Sequence, residues 1–181
     1  MLELNNIKVS ERWLFSSFEV MKYNPIYRDS SGKYIKDEWT DYSDIGKILN
    51  GVVLTFLDYK KVEDKYIEAI SYLFKFYNCD KIQCIIERYY RDDDLEIINS
   101  MDLEKFYYEL RKRKVLSLEE TLKAARLHLR GAFSGRFYMK GNKDISVRFG
   151  YDFYMYFNVP EINKKEIRNY IESKIGLFTT R

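Results

Sequence analysis

Three consecutive runs of strict alternation near the C-terminus constrain this chain more than any other feature. Phe137 and Met139 alternate with Arg136, Tyr138 and Lys140, and Gly141-Asn142 makes a tight turn. Ile145, Val147 and Phe149 then alternate with Ser146 and Arg148. After Gly150, Tyr151, Phe153, Met155 and Phe157 alternate with Asp152, Tyr154 and Tyr156. A period of two is that of a half-buried strand, and short turns join such strands antiparallel. The runs predict a three-stranded meander. Its opposite face carries Arg136, Tyr138, Lys140, Arg148, Asp152, Tyr154 and Tyr156.

Elsewhere the pattern has helical spacing. Val62, Tyr66, Ala69, Ile70, Leu73 and Tyr77 predict a helix from about Asp58 to Tyr77, and Ile82, Cys84 and Ile86 the strand after it. Leu103, Phe106, Tyr107 and Leu110 share one face of a helix from Met101 to Lys114, whose basic end Arg111 to Lys114 suits the helix dipole. Ser117 and Glu120 have capping-box spacing, with Gly131 closing that helix. A last helix is expected to open at Asn163, with Glu166 three residues on and Ile162 and Ile167 as a hydrophobic staple, and to end at Gly176 before an edge strand from Leu177 to Thr180. Near the start, Arg12 to Asn24 is aromatic and β-prone. Turn residues follow at Asn24-Pro25 and Asp29 to Gly32, so Tyr34 to Trp39 is expected to return as the second strand of an N-terminal hairpin. Together these predict a single α+β domain over residues 1–181, with a mainly antiparallel sheet and about four helices.

At 181 residues, 46% hydrophobic and 33% charged, the chain suits one globular core rather than disorder. It has two cysteines, Cys79 and Cys84, and one histidine, His128, which leaves little for Cys/His catalysis or structural zinc. His128 flanks an apolar helix face with no local nucleophile or orienting acid. The first residues show no apolar signal segment, no stretch approaches a membrane span of about 20 apolar residues, and two unpaired cysteines suit a reducing compartment. Cytoplasm is the expectation. Walker, dinucleotide-binding and nucleophile-elbow motifs are missing. Asp92-Asp93-Asp94-Leu95-Glu96 lacks the spacing of a calcium loop. Glu63-Asp64-Lys65 and Glu172-Ser173-Lys174 match an E-x-K nuclease spacing but fall in helical patterns. The expectation is a protein that is not an enzyme and holds no metal or cofactor.

Charge is unevenly placed. Residues 1–100 carry a net −4 and residues 101–181 a net +7. Carboxylates cluster at Asp37, Glu38, Asp41 and Asp44 and again at Asp92, Asp93, Asp94 and Glu96. Seventeen tyrosines and two tryptophans suit either a protein interface or a nucleic-acid stacking platform. For the second, the candidate residues are Arg136, Tyr138, Arg148, Tyr154 and Tyr156.

The run Gly150 to Phe157 after Arg148-Phe149, the close Gly176-Leu177-Phe178, the Tyr34 to Trp39 segment and the Ile-, Lys-, Asn- and Tyr-rich composition resemble immunity proteins of bacterial polymorphic-toxin and contact-dependent growth-inhibition systems. The resemblance implies a small cytoplasmic inhibitor whose partner is the C-terminal domain of a cognate toxin, such as an EndoU-type ribonuclease, blocked by occlusion. It carries over no catalytic residue. On that reading the two acidic clusters are the candidate partner-binding residues. The alternative is a single-stranded nucleic-acid-binding module using the Arg/Tyr sheet face.

Overall fold

The computed structural model describes residues 15–89, 101–110 and 114–180. In chain order the elements are β1 (Phe15–Met21), two short 3-10 turns (Pro25–Tyr27 and Tyr42–Asp44), β2 (Ile48–Leu49), β3 (Val52–Val53), α1 (Phe56–Phe76), β4 (Ile82–Tyr89), α2 (Met101–Leu110), β5 (Val115–Leu116), α3 (Leu118–Leu129), β6 (Phe133–Met139), β7 (Asn142–Phe149), β8 (Met155–Pro160), α4 (Glu161–Tyr170) and β9 (Phe178–Thr179). A π-helical turn, Ile171–Ile175, extends α4. Seven strands form one open sheet in the order β5-β4-β6-β7-β8-β1-β9, while β2 and β3 pair with each other. Every paired neighbour is antiparallel. The chain is an α+β domain.

Register follows from the alternation. Phe137, Val147, Phe157 and Phe18 lie side by side across β6, β7, β8 and β1, all buried. One residue over, Arg136, Arg148, Tyr156 and Glu19 form the next row and point to the opposite face. A slip of one residue would exchange the two rows, which fixes the pairing. At Gly135 a side chain would meet the Ile85 carbonyl oxygen at 2.5 Å, so only glycine lets β4 and β6 close beside the bulge after Ile86.

The helices cover the apolar face. Tyr59, Tyr66, Ile70, Leu73 and Phe74 of α1 are buried, as are Ala124, Ala125 and Leu127 of α3. Each large buried side chain contributes roughly 1.5–3 kcal/mol. Leu103, Phe106, Tyr107 and Leu110 of α2 join the same core. Ser117 accepts from the Glu120 amide at 3.2 Å and Glu120 accepts from the Ser117 amide at 2.9 Å, the reciprocal cap expected of α3. Gly176, at φ +73°, closes the turn after α4, and its amide donates to the Ile171 carbonyl at 3.0 Å.

Four local expectations are corrected. Tyr34 to Trp39 is not a strand: Tyr34 makes one isolated bridge with Arg28, and the edges of β1 are taken by β8 and β9. The third strand of the meander starts at Met155 rather than Tyr151, because Asp152 and Phe153 adopt left-handed backbone angles. α4 opens at Glu161 with Pro160 as its cap, and Asn163 instead accepts from the Tyr77 hydroxyl at 3.3 Å; Ile162 is 89% exposed and staples nothing. Lys114 is not helical, and its carbonyl accepts from the Cys84 amide at 3.0 Å; residues 111–113 lie outside the described residues.

Candidate partner-binding surface

Between β1 and α1 the chain makes an excursion built from side-chain bonds to backbone rather than from regular structure. The Asp29 carboxylate accepts from the Ser31 and Lys33 amides at 2.9 and 3.0 Å, closing the turn at Gly32. Lys22 leaves β1 with its side chain only 6% exposed and donates to Glu38 at 3.0 Å; the Tyr34 hydroxyl donates to the same carboxylate at 2.6 Å. The ammonium also lies 4.1 and 4.3 Å from the ring centres of Tyr23 and Trp39, a cation–π arrangement. Burial lowers the Lys22 pKa more than Glu38 restores it. Burial pushes Glu38 up, but Tyr34 and Lys22 more than offset it, so its carboxyl stays below the usual range.

This accounts for most of the first acidic cluster. Asp41 caps the Tyr42–Asp44 turn through the Ser43 amide at 2.8 Å. Asp44 accepts from the Thr40 and Asp41 amides at 2.7 and 3.1 Å and from Lys47 at 2.7 Å. Burial raises the Asp44 pKa, and Lys47 with those two amides lowers it further than that. Asp37 is exposed, and its backbone carbonyl accepts from the Asn50 amide group at 2.6 Å. Glu38 and Asp44 thus hold the excursion together, whereas Asp37 and Asp41 are exposed. Asp92, Asp93, Asp94 and Glu96 lie outside the described residues.

Apolar side chains that residue patterning did not mark as exposed stand beside these acids. Among the described residues eleven large apolar side chains are exposed, and six lie between residues 26 and 57: Ile26, Ile35, Ile48, Val52, Val53 and Leu57. Ile48 and Val53 are opposite partners of the β2–β3 pair, so they adjoin. Ile35 is tied back by its amide to the Tyr27 carbonyl at 2.9 Å, while Tyr27 and Tyr34 turn inward as an edge-to-face pair. Periodicity could not reveal this, because a short apolar run looks alike whether its side chains are covered or not.

The turn from Gly150 to Tyr154 abuts the excursion. Asp152 and Phe153 sit at φ +54° and +61°. A left-handed residue other than glycine costs on the order of 1–3 kcal/mol, and a bulky Phe is a marked outlier. Three groups hold the turn there. The Phe153 ring is boxed by Trp39, Tyr59 and Tyr66 at centroid distances of 4.9, 5.5 and 5.3 Å. Tyr66 donates to the Phe153 carbonyl at 2.6 Å and Tyr23 to the Asp152 carbonyl at 2.7 Å. Burial pushes both phenols well above the usual tyrosine pKa, which keeps them donors. Tyr151, at the tip, is 91% exposed.

The open sheet face brings together only part of the predicted aromatic and basic set. Arg136, Arg148 and Tyr156 share one cross-strand row, and Tyr138 stands in the neighbouring row. Arg136 is held by Glu87, which with Tyr138 raises its pKa. Arg148 lies 4.9 Å from the centre of the Tyr156 ring. Burial raises the Tyr156 pKa, and Glu19 adds to the effect. Glu87 thus takes up Arg136, while Arg148 lies against the Tyr156 ring and Glu19 acts on Tyr156 from the far side. Tyr154 does not belong to it: the hydroxyl accepts from Arg28 at 2.6 Å and the ring packs on Tyr23.

The residues that suggested chemistry are built into the core. The His128 imidazole stacks on Phe149 at 4.1 Å with its edge toward Phe133, and burial lowers its pKa to about 4. Burial pushes the Cys84 thiol up to about 12 and raises that of Cys79, whose Sγ donates to the Lys81 carbonyl at 3.3 Å. Glu63, fully buried on α1, receives Arg130 Nε on one oxygen and Arg126 on the other, both at 2.6 Å. Arg126 continues to Asp64 at 2.6 Å, so one ion network ties α1 to α3. Among the described residues no group of three His, Cys, Asp or Glu side chains is placed to hold a metal ion, and no helix is long and apolar enough to cross a membrane. No family model, curated protein or solved structure matches the chain.

Proposed function

We propose that this chain is an immunity-type inhibitor: it binds the C-terminal domain of a cognate bacterial toxin, of nuclease class, and neutralises it in the cytoplasm by covering the active site or substrate groove. It acts by binding and catalyses no reaction. One observation supports a protein partner above all, the gathering of exposed apolar side chains beside Asp37 and Asp41 on the excursion. Apolar centres with polar rims are the anatomy of protein interfaces. The pairing of Arg136 with Glu87 counts against the nucleic-acid alternative, since a strand-binding groove needs unmatched cations for phosphate.

The test is to recover the tagged full-length chain from its source cells, with and without nuclease treatment, in about 0.5 M salt. Phosphate contacts weaken steeply with salt, by about 0.7 log units per contacted phosphate per log unit of salt for single strands, while an apolar interface persists. The expected result is a near-stoichiometric protein that is toxic when made alone and harmless when made with this chain. Nucleic acid lost on nuclease treatment, with no protein retained, overturns the proposal.

A further inference from the structure

Asn50-Gly51 is the one Asn-Gly pair in the chain, and it forms the tip of the β2–β3 hairpin. Both residues are left-handed, at φ +51° and +79°, as a two-residue turn between antiparallel strands requires. We propose that Asn50 is a spontaneous deamidation site, and that its conversion to aspartate or isoaspartate unties the hairpin from the Asp37 segment for good. The chemistry needs only water and does not depend on what the chain binds.

The reaction begins when the backbone nitrogen of the following residue attacks the side-chain carbonyl carbon. A bond forms between Gly51 N and Asn50 Cγ, the Cγ–Nδ2 bond breaks, and Nδ2 leaves as ammonia with the proton of the Gly51 amide. Water then opens the succinimide ring. Opening at Cγ gives aspartate, and opening at the backbone carbonyl gives isoaspartate. One side-chain amide and one water have become one carboxylic acid and one ammonia.

The attacking nitrogen is open. The Gly51 amide donates to no acceptor among the described residues, and a side chain at Gly51 would meet nothing within 4 Å. The other described asparagines differ. Asn24 precedes Pro25, which has no N–H. The amide after Asn78 is committed, Cys79 donating to the Phe74 carbonyl at 2.8 Å. Asn142, Asn158, Asn163 and Asn169 stand in strands or helices and precede residues whose side chains screen the nitrogen.

Little holds the tip shut. Ring closure requires the Asn50 side chain to leave the Asp37 carbonyl, to which Nδ2 donates at 2.6 Å, and to swing back onto the Gly51 nitrogen. Each strand is two residues long, Ile48, Val52 and Val53 are exposed, and a two-stranded hairpin is at best marginally stable by itself, so the tip opens at small cost. After conversion an ionised carboxylate, which only accepts, faces the Asp37 carbonyl, and the bond becomes a repulsion. Isoaspartate also runs the main chain through Cβ. That lengthens the turn between Leu49 and Val52, whose register is set by a two-residue connection.

The purified full-length chain is incubated at mildly alkaline pH, folded and in urea, and each asparagine is followed by peptide mass spectrometry, with isoaspartate separated from aspartate. In the folded chain Asn50 is expected to convert first among the described asparagines, with isoaspartate among its products. Asn50→Gln is expected to stay unconverted at that position. Asn50→Asp carries one product from the start, and its Gly46 and Leu54 amides are expected to exchange about 2- to 10-fold faster, as the loss of one hydrogen bond implies, with β6 and β7 unchanged. An Asn50 that outlasts another described asparagine in the folded chain, or converts only in urea, overturns the proposal, because the bond to Asp37 is then a lock. Unchanged exchange in both the Asn50→Asp protein and the aged chain overturns the release of the hairpin.

Discussion

The sheet with its covering helices and the excursion between β1 and α1 are stabilised by different means. In the body, backbone groups pair with backbone, and rows such as Phe137, Val147, Phe157 and Phe18 exclude water. In the excursion, side chains replace the missing ladder: Asp29, Asp41 and Asp44 accept backbone amides, and Lys22 with Tyr34 closes on Glu38. Burial in the body is spread over many residues, so no single apolar contact decides it. The excursion rests on a few polar bonds, and each can be removed by one substitution.

The largest effect is expected where the body itself relies on polar contacts. Glu63→Ala leaves the Arg130 guanidinium buried without its carboxylate, and breaking a buried pair from one side costs about 3–5 kcal/mol. Urea unfolding should show the midpoint falling with little change in slope. If Glu63→Ala lowers stability by less than 1 kcal/mol, the α1–α3 network is not what joins the helices.

A second test separates the body by pH. His128 is held neutral between Phe149 and Phe133, with its pKa lowered from 6.5 to about 4. Between those values the unfolded chain binds a proton that the folded chain does not, so stability falls as pH drops through that window and the loss is complete near pH 4. The span is worth about 3 kcal/mol. His128→Gln should remove this component, and the difference between the two proteins' unfolding free energies should shrink or reverse as pH falls from 7 to 4. A constant difference would mean that the imidazole takes up its proton as readily in the fold as in the unfolded chain.

The regions also differ in how far they could be read from residues alone. Alternation placed the core rows because a period of two fixes both burial and register. The cap at Ser117 and Glu120 was legible for the same local reason. The hairpin was not, since pairing depends on which edges remain free: β9 arrives from far along the chain to take the edge that Tyr34 to Trp39 would have used. The alternation rightly buried Phe153 but misread its path, because a left-handed pair keeps the ring inside while bending the chain out of the strand. Among the candidate site residues, carboxylate clustering marked the excursion yet did not separate Asp37 from Glu38 and Asp44, whose partners lie on Lys22, Tyr34 and Lys47. Nor did it show that Ile48, Val52 and Leu57 would stay uncovered.

Within the excursion, Tyr23→Phe removes the hydroxyl from the Asp152 carbonyl and is expected to cost about 0.5–1.5 kcal/mol. The loss should be local: hydrogen exchange should quicken in the excursion and in the 150–154 turn while β6 and β7 keep their protection. Uniform acceleration over all strands would show that the excursion and the body unfold as one unit.

The smallest effect is expected on the open sheet face. Glu87 and Arg136 are each 42% exposed, and an ion pair so placed contributes about 0.2–1 kcal/mol, less as salt rises. Arg136→Ala should therefore leave the melting temperature nearly unchanged. It should also free Glu87 and make the face more acidic. If the face is only a solvated surface, affinity for a single-stranded oligonucleotide stays negligible in both proteins. A measurable affinity in the parent that is lost in Arg136→Ala would instead mean that phosphate displaces Glu87, and the face would join the excursion as a binding surface.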